Sequence, residues 1–223
     1  MGKNNLFTFE WPVDQDGYEL EFVKPRLTKG RADTKLTGPY QILKRRGGPL
    51  RYYRPLEDQP GLARRLAELS KHQGDESLLV DFANEFGLLS HDSFGLVISG
   101  QRMKTSDWWE VALQLHFVLE LKDAGNIETA CATLNEHVHP NFKPHIHFQQ
   151  PKRPKLSIAP DNLAGALWFQ VMGEITHGTK FKRCDLCPTW FPVGPRTGHR
   201  ETRRFCSNTC RNAWHRQNKK TTK

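Results

Sequence analysis

The alternation of hydrophobic and polar positions gives the chain an extended start. Residues 6–24, "LFTFEWPVDQDGYELEFVK", alternate aromatic and polar positions around the turn signal "DQDG", and this pattern predicts a β-hairpin. A second extended stretch, "GPYQILKRRGGPLRYYRPL", carries its own turn signal at Gly47-Gly48-Pro49. We therefore expect β-hairpins at the N-terminal end.

Helical periodicity begins near residue 59. Leu62, Leu66 and Leu69 recur at helical spacing, and "DESLLVDFANEFGLL" begins with acidic residues that favour a helix N-terminus. The segment "TSDWWEVALQLHFVLELKDAGN" is apolar around most of its circumference. It predicts a buried central helix, capped by Thr105 or Ser106.

The remaining segments before the cysteine-rich end alternate between helix and extended chain. "NIETACATLNEHV" predicts a helix, and the proline-rich "HVHPNFKPHIHFQQPKRPKLSIAP" predicts extended structure. A last long helix, "DNLAGALWFQVMGEITHG", has Asp161 as its expected cap. The expected fold class is α+β: N-terminal β-hairpins followed by a mostly helical domain over residues 1–177, and a separate C-terminal module over residues 178–223.

Composition places the chain among soluble proteins with a buried core. It has 223 residues, of which 37% are hydrophobic, enough for one sizeable domain and a small module. Nothing approaches 18 consecutive apolar residues, and "MGKNNLFTFEWPV" does not read as a secretory signal. Five cysteines in a chain without a secretory signal favour reduced thiols. We therefore expect a cytoplasmic protein, with no membrane partner, whose clustered cysteines bind metal.

The net charge is concentrated at the C-terminal end. The whole chain carries +9, whereas residues 178–223 contain 12 Lys or Arg and only Asp185 and Glu201 as acids, a net of +10. The preceding residues therefore carry a net of −1. This asymmetry indicates an anionic partner for the C-terminal module rather than for the whole protein.

Two pairs of cysteines have the spacing of a structural zinc site. Cys184-x2-Cys187 is followed after 18 residues by Cys206-x3-Cys210. Ser207 is expected to cap a helix from about residue 208 to 218, whose positive end would face the thiolates. "TWFPV" and "RRFC" predict the two strands of a hairpin, so that knuckle, hairpin and helix form a treble-clef-like finger. The expected cofactor is one structural Zn²⁺, which supplies folding energy to the small module.

Other uses of these cysteines and histidines fit the pattern less well. A redox pair needs a thioredoxin-like setting, and disulfides need a secretory context. Four thiolates close the coordination of zinc, which leaves no position for catalysis. His199 and His215 are the candidate bases of a treble-clef nuclease, but no further carboxylate or histidine completes that site. We therefore expect no enzyme.

The basic residues of the module are candidate nucleic-acid contacts. On the predicted final helix, i, i+4 spacing puts basic residues on one face and an adjoining row, and the preceding loop adds four arginines. Arginine favours bidentate contacts with phosphate or guanine. The candidates are Arg196, Arg200, Arg203, Arg204, Arg211, Asn212, His215, Arg216 and Lys219. The alternatives are a solvated basic face and a protein-interaction module whose finger is purely structural.

Three further features carry weaker signals. His137, His139, His145 and His147 form two His-x-His pairs, a spacing that metals use in strands, but surface or packed histidines are the favoured interpretation. Cys131, between two alanines on a predicted helix, is expected to be a small core residue. The Trp108-Trp109 pair is expected to pack the central helix, with an aromatic ligand pocket as the alternative.

The segment "RCDLCPTWF…RRFCSNTCRNAW" resembles the CGNR-type zinc finger at the C-terminus of bacterial stress-induced transcription regulators. This chain has Cys210-Arg211-Asn212-Ala213 where that family has Cys-Gly-Asn-Arg, so the asparagine matches. "DESLLVDFANEFGLL" and "DNLAGALWFQVMGEI" are similar to the helical, ABATE-like N-terminal domain of such proteins. The resemblance implies a finger that binds double-stranded DNA, and an N-terminal domain that senses a small ligand or mediates homodimerisation.

Overall fold

Strands at the start, helices in the middle and a cysteine-rich end make up the computed structural model. It describes residues 9–24, 26–29, 34–37, 40–90, 102–138, 142–149, 153–195 and 197–219.

The described strands form short antiparallel ladders. Their bounds are β1 Trp11–Asp14, β2 Tyr18–Val23, β3 Arg26–Lys29, β4 Thr34–Thr37, β5 Tyr40–Arg45, β6 Leu50–Tyr53, β7 Arg102–Lys104, β8 Phe142–Gln149, β9 Arg153–Pro160, β10 Lys180–Arg183 and β11 Trp190–Val193. Strands β2, β5 and β7 form one sheet in the order β2-β5-β7. The other ladders are the pairs β1-β6, β3-β4, β8-β9 and β10-β11.

The helices occupy most of the chain between β6 and β10. Their bounds are α1 Pro55–Asp58, α2 Leu62–Leu69, α3 Glu76–Phe86, α4 Thr105–Asp123, α5 Ile127–Val138, α6 Leu163–His177 and α7 Asn208–Lys219, with a 3-10 turn at Ser70–His72 after α2. The helices expected from hydrophobic periodicity are therefore present.

The N-terminal strands pair differently from the expected hairpin. The chain does turn after Asp14, and the Gly17 amide donates to the Asp14 carbonyl at 3.1 Å. However, β1 pairs with β6 and β2 pairs with β5, so the hairpin expected within residues 6–24 is wrong. The reason is a second corner at Gly47-Gly48, whose amides donate to the Asp14 carboxylate at 2.8 and 3.0 Å. The turn after Asp14 therefore lies against the turn at Gly47-Gly48. The pair β1-β6 lies on one side of these two turns, and the pair β2-β5 lies on the other.

The main core surrounds α4, as its apolar circumference predicts. Trp108 is fully buried, and its ring lies edge-on to Phe82 of α3 with the ring centroids 5.8 Å apart. Helix α6 contributes Leu167 and Trp168, and α2 contributes Leu66, all of them buried in the same cluster. Burial of these large side chains supplies most of the folding free energy of the helical body, by which we mean α1–α6.

The residues expected to cap the starts of α4 and α6 do not cap them, so both predictions are wrong. Helix α4 begins directly after β7, its N-cap position is Lys104, and Thr105 donates its hydroxyl to the Gln41 carbonyl at 3.4 Å. At α6, Asn162 is the cap, accepting from the Gly165 amide at 2.8 Å. Asp161 instead forms an ion pair with Lys143 at 2.6 Å.

The first strand of the C-terminal module, β10, is separated from α6 by the two residues Gly178 and Thr179. Strands β10 and β11 pair antiparallel, with Arg183 beside Trp190. "TWFPV" thus forms a strand as expected, but its partner lies upstream. "RRFC" forms no strand, so its expected hairpin with "TWFPV" is wrong, and the strand that pairs with β11 is β10.

The observed fold class is α+β, as the sequence predicts: N-terminal strand ladders, a mostly helical middle and a C-terminal module with a four-cysteine cluster. Among the helices that the structure describes, none combines the length and the apolar composition needed to cross a membrane.

Candidate metal centre

The first two cysteines lie in the connection between β10 and β11. Cys184 directly follows β10, and its amide donates to the Thr189 carbonyl at 3.0 Å, which closes the turn. Cys187 lies within this turn, three residues later. A tight turn closed by the hairpin therefore presents both thiols on one side, as the CxxC spacing requires.

The second two cysteines lie at the start of α7. Cys206 precedes the helix, and Cys210 is in its first turn. The Cys210 amide donates to the Ser207 hydroxyl at 3.2 Å, which is the expected helix cap. The Asp185 amide donates to the Arg204 carbonyl at 3.1 Å and holds this segment against the β10-β11 turn.

The four thiols converge on one point. The Sγ–Sγ distances are 3.5 Å between Cys187 and Cys206, 3.5 Å between Cys206 and Cys210, and 3.8 Å between Cys210 and Cys187. All four sulfur atoms, including that of Cys184, lie within 4.8 Å of one another. Tetrahedral coordination with metal–sulfur bonds of about 2.3 Å requires sulfur separations of about 3.8 Å. The four cysteines are thus positioned to bind one metal ion.

Without a metal, the thiols differ in how readily they ionise. Burial raises the pKa of the Cys184 thiol, but hydrogen bonds from the amides of Cys206, Leu186 and Cys187 outweigh it and lower the pKa to about 7. Burial and the neighbouring thiols raise the pKa of Cys206 well above its usual value. A bound divalent cation would stabilise the thiolate form of all four cysteines, including Cys206.

A small hydrophobic core supports the cluster. Phe191 and Val193 of β11 are buried together with Cys184 and Phe205. Trp214 of α7 packs on Phe205 with the ring centroids 5.7 Å apart, as its position one turn after Cys210 predicts. Because this core has few members, a metal ion bound at the cluster would add substantially to the stability of the module.

Two of the candidate nucleic-acid contacts make internal contacts. Arg203 donates to the Phe205 carbonyl at 2.6 Å and the Cys206 carbonyl at 2.8 Å, and its guanidinium also contacts His199. Arg204 pairs with Asp185 at 2.6 Å. Arg203 therefore holds the segment that carries Cys206, a role that sequence reasoning missed.

The structure brings other candidates together on the surface. Arg200 and Arg211 line one open cleft of about 430 Å³, together with Arg203, Arg204 and the cap of α7. Asn212, His215 and Arg216 are exposed along α7, and Lys219 is the last residue of that helix. Arg196 lies outside the described residues.

The weaker sequence candidates lie before the C-terminal module in the chain. His137 stacks on Trp168 with the ring centroids 5.6 Å apart, which makes it a packed histidine. His145 and His147 lie on β8, and His139 lies outside the described residues. The described part of the chain contains one group of residues that could hold a metal ion, the four cysteines.

Cys131 lies on α5 with intermediate exposure, in contrast to the expected core position. Trp108 and Trp109 are both buried in the main core, as expected.

Sequence reasoning also missed Trp190. It belongs to β11 but contacts Arg64 of α2, whose guanidinium lies 5.2 Å from the centre of the indole ring. The signal was available in the consecutive apolar residues Trp190-Phe191, because adjacent strand residues point to opposite faces. Two consecutive apolar side chains indicate a strand that is covered on both faces.

Comparison with known protein families found no match, and comparison with curated proteins found none either. The function is therefore inferred from the chemistry of the four-cysteine cluster and of the surface beside it.

Proposed function

We propose that the protein binds nucleic acid, namely double-stranded DNA, through its C-terminal module, and that it regulates transcription. In this proposal the metal is one zinc ion with a structural role. The metal holds the module in shape, and the exposed arginines contact the phosphates. The observation that carries the proposal is the arginine-lined cleft at the start of α7.

The donor set supports zinc. Four thiolates in tetrahedral geometry are typical of structural zinc sites and of iron–sulfur sites. With all four positions taken by sulfur, no water can be activated at the metal, and a structural role follows. Metal analysis of the purified chain is expected to find one equivalent of zinc, whereas iron would contradict this part of the proposal.

The position of the cleft supports an anionic ligand. All of its lining residues belong to the segment from Gly198 to Arg211, so the module forms it without the helical body. The amino end of α7 carries the positive end of the helix dipole, which favours a phosphate nearby. Planar guanidinium groups can bind such a phosphate through two hydrogen bonds each.

The pairing of the acids leaves arginines available for this contact. The module has two acidic residues: Asp185 pairs with Arg204 at 2.6 Å, and Glu201 pairs with Lys180 at 3.2 Å. Within the described residues, Arg200, Arg211 and Arg216 take part in no ion pair. Their charges are therefore not neutralised within the protein, which favours an anionic partner.

The resemblance to CGNR-type regulators extends the proposal to the rest of the chain. The helical body would sense a small ligand or mediate homodimerisation, and the protein would act in the cytoplasm without an enzymatic activity. The solvent-exposed side chain of Asn212 on α7 fits a contact with an adenine edge in the major groove.

The test is the salt dependence of binding to duplex DNA. Each phosphate that the protein neutralises contributes about −0.9 to the slope of log affinity against log salt concentration. The double variant Arg200→Ala/Arg211→Ala is expected to reduce the magnitude of this slope by about 2 and to weaken binding to all sequences similarly.

A double variant of Lys24 and Arg46 is the matched control. Both residues lie in the N-terminal strand region, and replacing them with alanine removes the same total charge. This control is expected to keep the slope of the native protein. If Arg200→Ala/Arg211→Ala retains native affinity and slope with its metal bound, the basic surface does not bind DNA, and the protein-interaction alternative gains support.

A further inference from the structure

The β10-β11 hairpin has a hydrophobic layer on each of its two faces. Phe191 and Val193 point into the core of the metal module, where they are 4% and 2% exposed. Trp190 directly precedes Phe191 in β11, so its side chain points to the opposite face. Arg183 pairs with Trp190, and Phe181 pairs with Pro192, so these side chains share the second face.

The second face of the hairpin packs on α2. The guanidinium of Arg64 lies 5.2 Å from the centre of the Trp190 ring and 5.7 Å from that of Phe181. Arg183 extends to Glu68 of the same helix at 3.7 Å. At Gly61, just before α2, a Cβ atom would lie 2.5 Å from Cβ and the carbonyl oxygen of Trp190. The contact is thus too close for any side chain at position 61.

Arg64 connects this contact to the other helices. It donates to Glu174 of α6 at 2.7 Å and to Asp123 of α4 at 2.9 Å. Lys122 of α4 donates to the carbonyl of Thr179 at 3.1 Å, one residue before β10 begins. The hairpin and its connection to α6 are therefore fixed to three helices of the body.

We infer that the β10-β11 hairpin couples metal binding at the four cysteines to the stability of α2. The inference rests on the proposed metal site. A module with so small a core loses its order without metal, and β11, which carries Phe191 and Val193, also carries Trp190 of the docking face. When the metal leaves, Trp190 loses its fixed position and α2 loses the layer that covers it.

The coupling acts in both directions. Because the free energy of coupling between two sites is reciprocal, any change that loosens the docking of Trp190 also weakens metal retention. A partner that binds the helical body near α2 can therefore alter the order of the DNA-binding surface, and binding at that surface can alter α2. The hairpin is the physical element through which the two parts respond to each other.

Hydrogen–deuterium exchange of the full chain, with zinc bound and after removal of zinc by a chelator, tests the inference. Amides of α2 are expected to exchange about tenfold faster or more without zinc, because local opening becomes easier. Amides of α3, which packs on the N-terminal strands, are expected to change much less. Equal protection of α2 in both states would overturn the inference.

Gly61→Ala provides a second measurement that leaves the cysteines unchanged. The added methyl group is expected to displace Trp190, to speed exchange in α2 with zinc still bound, and to make zinc easier to remove by chelator. Gly173→Ala on α6 is the matched control, because its Cβ would meet nothing closer than His177 at 4.0 Å. The control is expected to behave as the native protein does.

The outcomes separate this inference from the proposed function. If zinc is bound and DNA binding is salt-dependent, but neither chelation nor Gly61→Ala changes exchange in α2, the coupling is wrong and the proposed function stands. If the purified chain binds no metal ion, both fail. If chelation and Gly61→Ala both loosen α2 while the chain fails to bind DNA, the coupling stands and the DNA-binding proposal fails.

Discussion

Asp14 shows how one buried carboxylate can decide the pairing of four strands. It accepts hydrogen bonds from the amides of Asp16, Gly47 and Gly48, and it pairs with Arg45 at 2.5 Å. Burial raises the pKa of Asp14, but the hydrogen bonds from Arg45, Gly47 and Asp16 outweigh it and hold the pKa below its usual value. The charged form therefore stabilises the folded state.

Asp14→Asn is expected to lower the free energy of unfolding by about 2–3 kcal/mol at neutral pH, because charge-assisted hydrogen bonds are lost. The contribution of the carboxylate is present above the unfolded pKa of about 3.9, and it is lost as the pH falls through the lower folded pKa. The difference between the two proteins should therefore shrink in acid. Urea unfolding across pH measures this difference.

Asp81→Asn on the exposed face of α3 is the control, and it should change stability by less than about 0.5 kcal/mol. A similar loss of stability in both variants would mean that the Asp14 network contributes nothing specific.

At the scale of elements, local patterns predicted helices better than strand partners. The periodicity of "GLARRLAELSKH" and "DESLLVDFANEFGLL" gave α2 and α3, because a helix makes its hydrogen bonds within one segment. The hairpin expected within residues 6–24 is wrong because a strand makes its hydrogen bonds with another segment, which can be distant in the sequence. Strand β1 pairs with β6. The same reason explains why "RRFC" is not a strand.

We expect the C-terminal module to depend on its four cysteines as a unit. Cys206→Ser is expected to abolish stoichiometric metal binding and to unfold the module, because three thiolates no longer close the site. Metal analysis and the near-ultraviolet circular dichroism of the protein, to which Trp214 contributes, report this loss, while most helical signal from the body should remain.

Cys131→Ser is the matched control, since the fifth cysteine lies on α5, away from the cluster. It should retain one equivalent of metal. Full metal content in Cys206→Ser would show that the cluster is not the metal site.

At the scale of the whole molecule, a buried ion pair joins two helices of the body, α2 and α6. The side chains of Arg64 and Glu174 are 7% and 2% exposed and lie 2.7 Å apart. Burial raises the pKa of Glu174 even with Arg64 and Lys122 beside it. The carboxylate therefore depends on these cations to remain charged inside the protein.

Arg64→Met is expected to destabilise the protein by about 3–5 kcal/mol at neutral pH, because it leaves the Glu174 carboxylate buried without its main partner. Loss of the cation raises the folded pKa of Glu174 further above its unfolded value. A raised carboxyl pKa penalises the folded state more as pH rises, so the deficit should shrink as the pH falls from 7 to 5. Urea unfolding at both pH values measures it.

Arg65→Met is the neighbouring control on the same helix. Arg65 pairs with Glu85, whose side chain is 48% exposed, and loss of such a surface pair costs about 1 kcal/mol or less. Equal deficits for Arg64→Met and Arg65→Met, or a deficit in Arg64→Met that does not change with pH, would contradict the role given to Glu174.

The sequence by itself determined the features that depend on spacing between near neighbours. These are the helices, the fold class, the capped start of α7, the four cysteines as one group, and the concentration of positive charge after residue 178. Each follows from residues a few positions apart, or from chemistry that one residue type carries wherever it lies. The convergence of Cys184 and Cys206 was predictable because metal coordination brings its ligands together across the intervening chain.

The tertiary structure alone decided which of these elements meet. Asp14 meets Gly48 across 34 positions, and Arg64 meets Glu174 across 110, and no local pattern specifies either contact. Arg203 has the same residue type as Arg200, yet it donates to backbone carbonyls beside Cys206, because the fold of that segment places those acceptors within its reach. The role of a charged side chain depends on what the folded chain places beside it, since burial and partners set both its availability and its energy.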